Sequence, residues 1–155
     1  RAGKMDFENL LFEDGRDYSP MRSYGRSKLS NLLFTYELQR FFETNDVQNI
    51  AVAAHPGGSR TNLDQHINKN WWFKILQPLA YSLSQSAAMG ALPQIRASVD
   101  PSVKGAEYYG PRNAIGEMTG YPQLVESNAA SHNEEDAKKL WEVSEKLTGV
   151  SFLVI

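Results

Sequence analysis

Residues 20–44 carry apolar side chains at helical spacing on two faces at once. Leu29, Leu32, Leu33 and Tyr36 form one stripe, and Phe34, Leu38, Phe41 and Phe42 form a second. A helix that is apolar on two sides must be covered on both. Shortly after it, Ile50-Ala51-Val52-Ala53-Ala54 is an apolar run without alternation, the pattern of a strand sandwiched between helix layers. Together they predict an α/β fold in which one helix face covers a sheet and the other meets a second helix or a second subunit. Ser19-Pro20 supplies an N-cap and a proline at the first helical position, and Asn45-Asp46 supplies the stop.

The rest of the chain is expected to follow in order. Residues 1–18 are polar and irregular, with a turn at Asp14-Gly15. The strand at 49–54 leads into a cover segment over residues 62–85, rich in aromatic residues (Trp71, Trp72, Phe73, Tyr81). A helix over 86–98 contains Pro93, and a second strand spans 106–109, closed by Gly110-Pro111. Residues 112–130 read as loop. A final helix over 133–148 opens on Asn133 and three acidic residues and ends at Gly149. Its packed face is expected to be Ala137, Leu140, Trp141, Ser144 and Leu147. The chain is thus expected to be one partial domain over 1–155.

Composition narrows the function classes. The 155 residues are 41% hydrophobic and carry a formal net charge of −2, which gives no reason to expect nucleic acid as a partner. No apolar run is long enough for a membrane span. There is no cysteine, which excludes thiolate chemistry and Cys-based metal sites. His55, His66 and His132 stand 11 and 66 residues apart and form no metal cluster by spacing. A paired-carboxylate hydrolase and a Gly-x-Ser-x-Gly nucleophile elbow both lack their residues.

One pair carries chemistry. Tyr24 and Lys28 are four residues apart in Tyr24-Gly25-Arg26-Ser27-Lys28, hence on one face of the long helix. An ammonium beside a phenol favours the phenolate, which suits proton exchange with an alcohol or carbonyl. The plainer reading is a packed tyrosine beside a solvated lysine. Beyond the following strand, His55-Pro56-Gly57-Gly58 and Thr61 stand at the carboxyl end, where open α/β sheets bind ligands. There, too, a simple loop exit with a capping threonine is an equal reading.

Taken in this order, helix pair, buried strand, Pro-Gly and then Thr, the chain resembles the carboxy-terminal half of the short-chain dehydrogenase/reductase family. It looks most like the retinol-dehydrogenase-like branch, on Tyr24 to Leu33, on His55 to Gly58, and on Gly105-Ala106-Glu107-Tyr108-Tyr109-Gly110-Pro111 through Leu140-Trp141-Glu142. The resemblance implies the C-terminal part of a Rossmann-like, doubly wound parallel sheet, helix-rich and lacking the N-terminal nucleotide-binding strands.

It further implies Tyr24 and Lys28 as catalytic residues. Tyr24 would exchange a proton with the substrate oxygen, and Lys28 would favour the phenolate and hydrogen-bond the nicotinamide ribose. Pro56, Gly57 and Gly58 would face the nicotinamide, and Thr61 would bind its carboxamide or the adjoining phosphate. The cofactor would be NADP or NAD, with NADP slightly preferred. The partners would be a small alcohol or carbonyl, apolar by the aromatic cover segment, and a second subunit docked on helix 20–44. A cytoplasmic location is expected.

The Gly-rich pyrophosphate turn of such enzymes is absent from the sequence, and their serine would fall just before Arg1 by register. Ser19 and Ser23 are too close to Tyr24 to serve. The isolated chain is therefore expected to be inactive, to leave sheet edge and helix surface uncovered, and to self-associate. The alternative is a non-catalytic interaction module of the same fold.

Overall fold

The computed structural model describes residues 3–58, 84–112 and 118–152. These divide into two compact units, one drawn from Arg1–Val52, Lys104–Ala106 and Glu126–Ile155, the other from Ala53–Val103 and Glu107–Val125.

In the first unit the long helix α1 spans Pro20–Thr44. The Ser19 hydroxyl accepts from the Arg22 N–H at 3.1 Å, so the Ser-Pro start does what its chemistry allows. At the other end Asn45 turns its side chain back onto the Phe41 carbonyl, and Asp46 leaves in a left-handed conformation at φ 55°. The last helix, here α3, spans Glu134–Thr148, with Asn133 capping Asp136 N–H at 3.1 Å and Gly149 in the left-handed region at φ 69°. The two helices pack on each other, and Leu29, Leu33, Ala137 and Leu140 are buried together with Met5.

The second stripe of α1 is only half covered. Phe34 stacks on Trp141 with centroids 5.3 Å apart, and Phe41 and Phe152 extend the cluster, yet Phe34 remains 46% exposed. Leu147, expected on the packed face of α3, is exposed as well. It sits in the last turn of α3, past the buried stretch that ends at Leu140.

A polar tie replaces part of the sheet in this unit. Gln39 is buried, and its Oε1 accepts the Ala51 N–H at 2.8 Å while its Nε2 donates to Glu43 at 2.9 Å. The Ala51 carbonyl accepts from Ala106 N–H at 2.9 Å. Gly105 lies against the Gln39 amide so closely that a Cβ there would overlap it.

The second unit is a small sheet with one helix. Strand β1 is Ala53–Ala54, β2 is Tyr108–Pro111 and β3 is Pro122–Leu124, in the order β1-β2-β3. The β1–β2 pair is parallel, as the layered α/β pattern requires, and β2–β3 is antiparallel, so the described sheet is mixed. Helix α2 spans Ala87–Val99 behind an N-cap at Ser86 and packs on all three strands, with Gly90 and Pro93 buried.

The structure departs from four expectations. The strand at 49–54 contracts to two residues, because the Ala51 N–H goes to a side chain rather than a neighbouring strand. The strand expected at 106–109 runs Tyr108–Pro111: Ala106 is left-handed at φ 62°, and Gly110-Pro111 continue the ladder instead of closing it. Residues 112–130 are not all loop, since they contain β3 and the start of a 3-10 turn at Ala129–His132. Residues 1–18 likewise include a 3-10 turn at Phe7–Asn9.

Candidate functional site

Tyr24 and Lys28 lie one turn apart near the start of α1, and both are exposed. The Lys28 Nζ stands 5.3 Å from the centroid of the Tyr24 ring. The ammonium is thus within cation–π range of the ring, an arrangement worth about 0.5–1 kcal/mol at an exposed site. Helix geometry alone brings the two together, as their spacing predicts.

Arg26, between them in sequence, points elsewhere. Its guanidinium donates to the Leu10 carbonyl at 2.9 Å, bonds the Asn9 carbonyl, and covers the Phe12 ring at 4.0 Å. It therefore fastens the segment before the helix to the turn that carries Tyr24. Two residues along a helix from the tyrosine, it must face a different side, and no motif in the sequence marks it.

The bend after β1 belongs to the second unit. His55 N–H pairs with the Tyr109 carbonyl at 2.9 Å, which ends the ladder, and Gly57 turns the chain at φ 63°. Without side chains at Gly57 and Gly58, the bend presents main chain, the surface against which a flat ring can pack closely. A Cβ on Gly58 would overlap the Met118 methyl. Met118 already fills the side of Gly58 where a Cβ would stand, so a flat ring could meet the bend only along the main chain that Met118 leaves uncovered. Thr61 and residues 62–83 of the expected cover segment 62–85 lie outside the described residues.

The bend is held by a residue that belongs to no motif of the sequence. Gln85, 7% exposed, receives no obvious pattern signal because it precedes the cap of α2. Its Nε2 donates to the Pro56 carbonyl at 2.9 Å and its Oε1 accepts the Gly120 N–H at 2.8 Å. Its main-chain N–H donates to the Gly58 carbonyl at 2.9 Å, and Gly58 N–H donates to the Met118 carbonyl at 2.7 Å. Three of these hydrogen bonds fall on the three-residue bend, and the fourth ties Gln85 itself to Gly120.

Two further polar clusters have structural geometry. Ser127 Oγ accepts from Tyr36 at 2.8 Å and from Ser131 at 2.7 Å, and lies 2.7 Å from His132 Nε2. An oxygen already accepting two hydrogen bonds is a poor nucleophile, so Ser127 is a structural junction: with the Tyr36–His132 ring stack at 4.8 Å, its bond from Tyr36 ties α1 to the 3-10 turn. In the second unit, burial and the hydrogen bond to Glu107 at 2.6 Å push the Tyr109 phenol up to about 12. No helix among the described residues is long and apolar enough to cross a membrane.

Comparison with known proteins places these features in a family. The chain is 33% identical over 152 residues to retinol dehydrogenase 14 from Mus musculus, covering 97% of this chain and 42% of that protein. It is 32% identical over 149 residues to the WW domain-containing oxidoreductase of Gallus gallus, covering 94% and 32%. Among solved structures, an uncharacterized protein from Mycobacterium paratuberculosis matches with a TM-score of 0.71 and 31% identity, over 98% of this chain and 47% of that one. No family model matches the chain. The chain spans less than half the length of these relatives. It belongs to the short-chain dehydrogenase/reductase family, in the retinol-dehydrogenase-like branch, and corresponds to the carboxy-terminal portion of that fold.

Proposed function

We propose that the whole protein is an NAD(P)-dependent oxidoreductase of an alcohol or carbonyl substrate, apolar in character, to which this chain contributes the proton-handling groups. In this reading Tyr24 exchanges the proton with the substrate oxygen, and Lys28 keeps positive charge beside the phenol and binds the nicotinamide ribose. The Pro56–Gly58 main chain lies against the nicotinamide, and Thr61 holds its carboxamide or the adjoining phosphate. The dinucleotide, when bound, would give the hydride to a carbonyl or take it from an alcohol. NADP is the first choice for assay and NAD the second.

The observation that carries the reading is the Tyr24–Lys28 pair, exposed and in contact on one helix turn, in a chain of this family. The test is titration of the full-length protein with NADPH and NADH, followed by assay of Tyr24→Phe. Binding of a dinucleotide together with loss of turnover in the variant supports the reading; turnover unchanged in Tyr24→Phe removes it.

A second reading is a non-catalytic interaction module. It is favoured by the aromatic face around Phe34 and Phe152, exposed at 46% and 48%. On that reading the full-length protein responds to neither dinucleotide. Self-association through α1 is part of either proposal, with the Phe34 edge as the contact.

A further inference from the structure

We propose that Gln85 is the positioning residue of the nicotinamide-facing bend, an inference that rests on the oxidoreductase reading above. A side-chain amide can donate to a carbonyl and accept from an N–H at once, through two different atoms. Gln85 does both, giving to Pro56 and taking from Gly120, while its own N–H holds the Gly58 carbonyl. Being 7% exposed, it is shielded from competing water.

The carbonyls of Pro56 and Gly58 and the N–H of Gly58 are therefore occupied within this unit. What the bend offers a cofactor is then a shaped surface. Its job is steric, and the angle at which the ring is held depends on where the amide pins Pro56. A displacement on the order of 1 Å at such a point can change a reaction rate by about a hundredfold.

The test uses the full-length protein and two variants. Gln85→Leu loses both side-chain bonds, whereas Gln85→Glu keeps an oxygen that can accept from Gly120 and loses the donor to Pro56. NADPH binding is measured by calorimetry, and the fluorescence anisotropy of its reduced nicotinamide is read per mole bound. Both variants are expected to bind NADPH within about tenfold of wild-type affinity, because the contacts of the pyrophosphate and adenosine are made elsewhere. Both are expected to hold the nicotinamide loosely, with anisotropy falling toward that of a ring free to rotate.

A merely structural role would lower the melting temperature and the bound fraction, yet leave the anisotropy per bound cofactor at the wild-type value. That result in a folded variant overturns the proposal. Should Gln85→Leu not fold, Gln85→Glu decides alone. Hydrogen exchange of the apo protein gives a cofactor-free reading: the Gly58 and Gly120 amides are expected to exchange at least about tenfold faster in either folded variant, as local opening of the bend becomes easier. Unchanged exchange there also overturns it. A wild-type protein that binds neither NADPH nor NADH sinks the oxidoreductase reading instead, and faster exchange in the variants then shows that the clamp exists without the cofactor.

Discussion

The Lys28 ammonium lies above the face of the Tyr24 ring, 5.3 Å from its centroid, one turn along the same helix. Both side chains are exposed, so neither is needed for packing. Replacing Tyr24 by Phe should therefore leave the melting temperature of the full-length protein unchanged. On the proposed chemistry it should lower kcat by about 10²–10⁴, the range of a lost general acid–base group. Steady-state kinetics beside a thermal melt checks both halves; an unaltered kcat would remove Tyr24 from the mechanism.

Gln39 and Gly105 should behave as a coupled pair. Gln39→Leu strands the buried Ala51 N–H, a loss of about 1–3 kcal/mol. Gly105→Ala should cost stability because its methyl overlaps the Gln39 amide, which its two hydrogen bonds hold in place. In a Gln39→Ala background the same alanine at 105 should cost far less. Urea unfolding of the four proteins measures the coupling, and additive losses would show that the contact is not the cause.

Leu33 is fully buried where α1 meets α3. Leu33→Ala removes a side chain whose neighbours include the buried Leu29, Ala137 and Leu140, and should cost about 2–5 kcal/mol by the cavity it leaves. A shift below 1 kcal/mol in denaturant unfolding would mean that the helix pair closes up around the gap.

Stability should fall in strong alkali through Tyr109. Its folded pKa is raised to about 12 by burial and by Glu107. The unfolded phenol loses its proton near 10, so the folded state binds more protons above that point. The contribution of Tyr109 is complete below about pH 10 and is lost as pH rises toward about 12. Tyr109→Phe should flatten this alkaline limb while leaving the acid limb as it was. Unfolding free energies measured from pH 8 to 12 read the slope directly.

Local chemistry decided what could be read from the sequence. The bounds of α1 and α3 were legible because Ser19, Pro20, Asn133 and Gly149 act on the N–H and C=O groups beside them. The Tyr24–Lys28 contact was legible for the same reason, since helical spacing suffices to make it. The strands were not. Where a ladder starts and stops depends on partners far along the chain, such as Gln39 for Ala51 and Ala106 for Ala51. β3 escaped notice because Pro122-Gln123-Leu124 is short, opens on a proline and lies on an edge of the sheet. Gln85 escaped because a side chain that bonds two distant loops has no period to betray it.

The Gln39 amide has a consequence beyond stability. Where the backbone at Ala51 could have recruited a foreign strand, a side chain from the preceding helix has already filled the socket. An intruding polypeptide would have to evict a buried amide and leave Glu43 without its donor before gaining a single ladder bond. Aggregation by strand addition is thus obstructed at that residue by one glutamine, and a hydrophobic replacement at 39 should make the protein stickier as well as weaker.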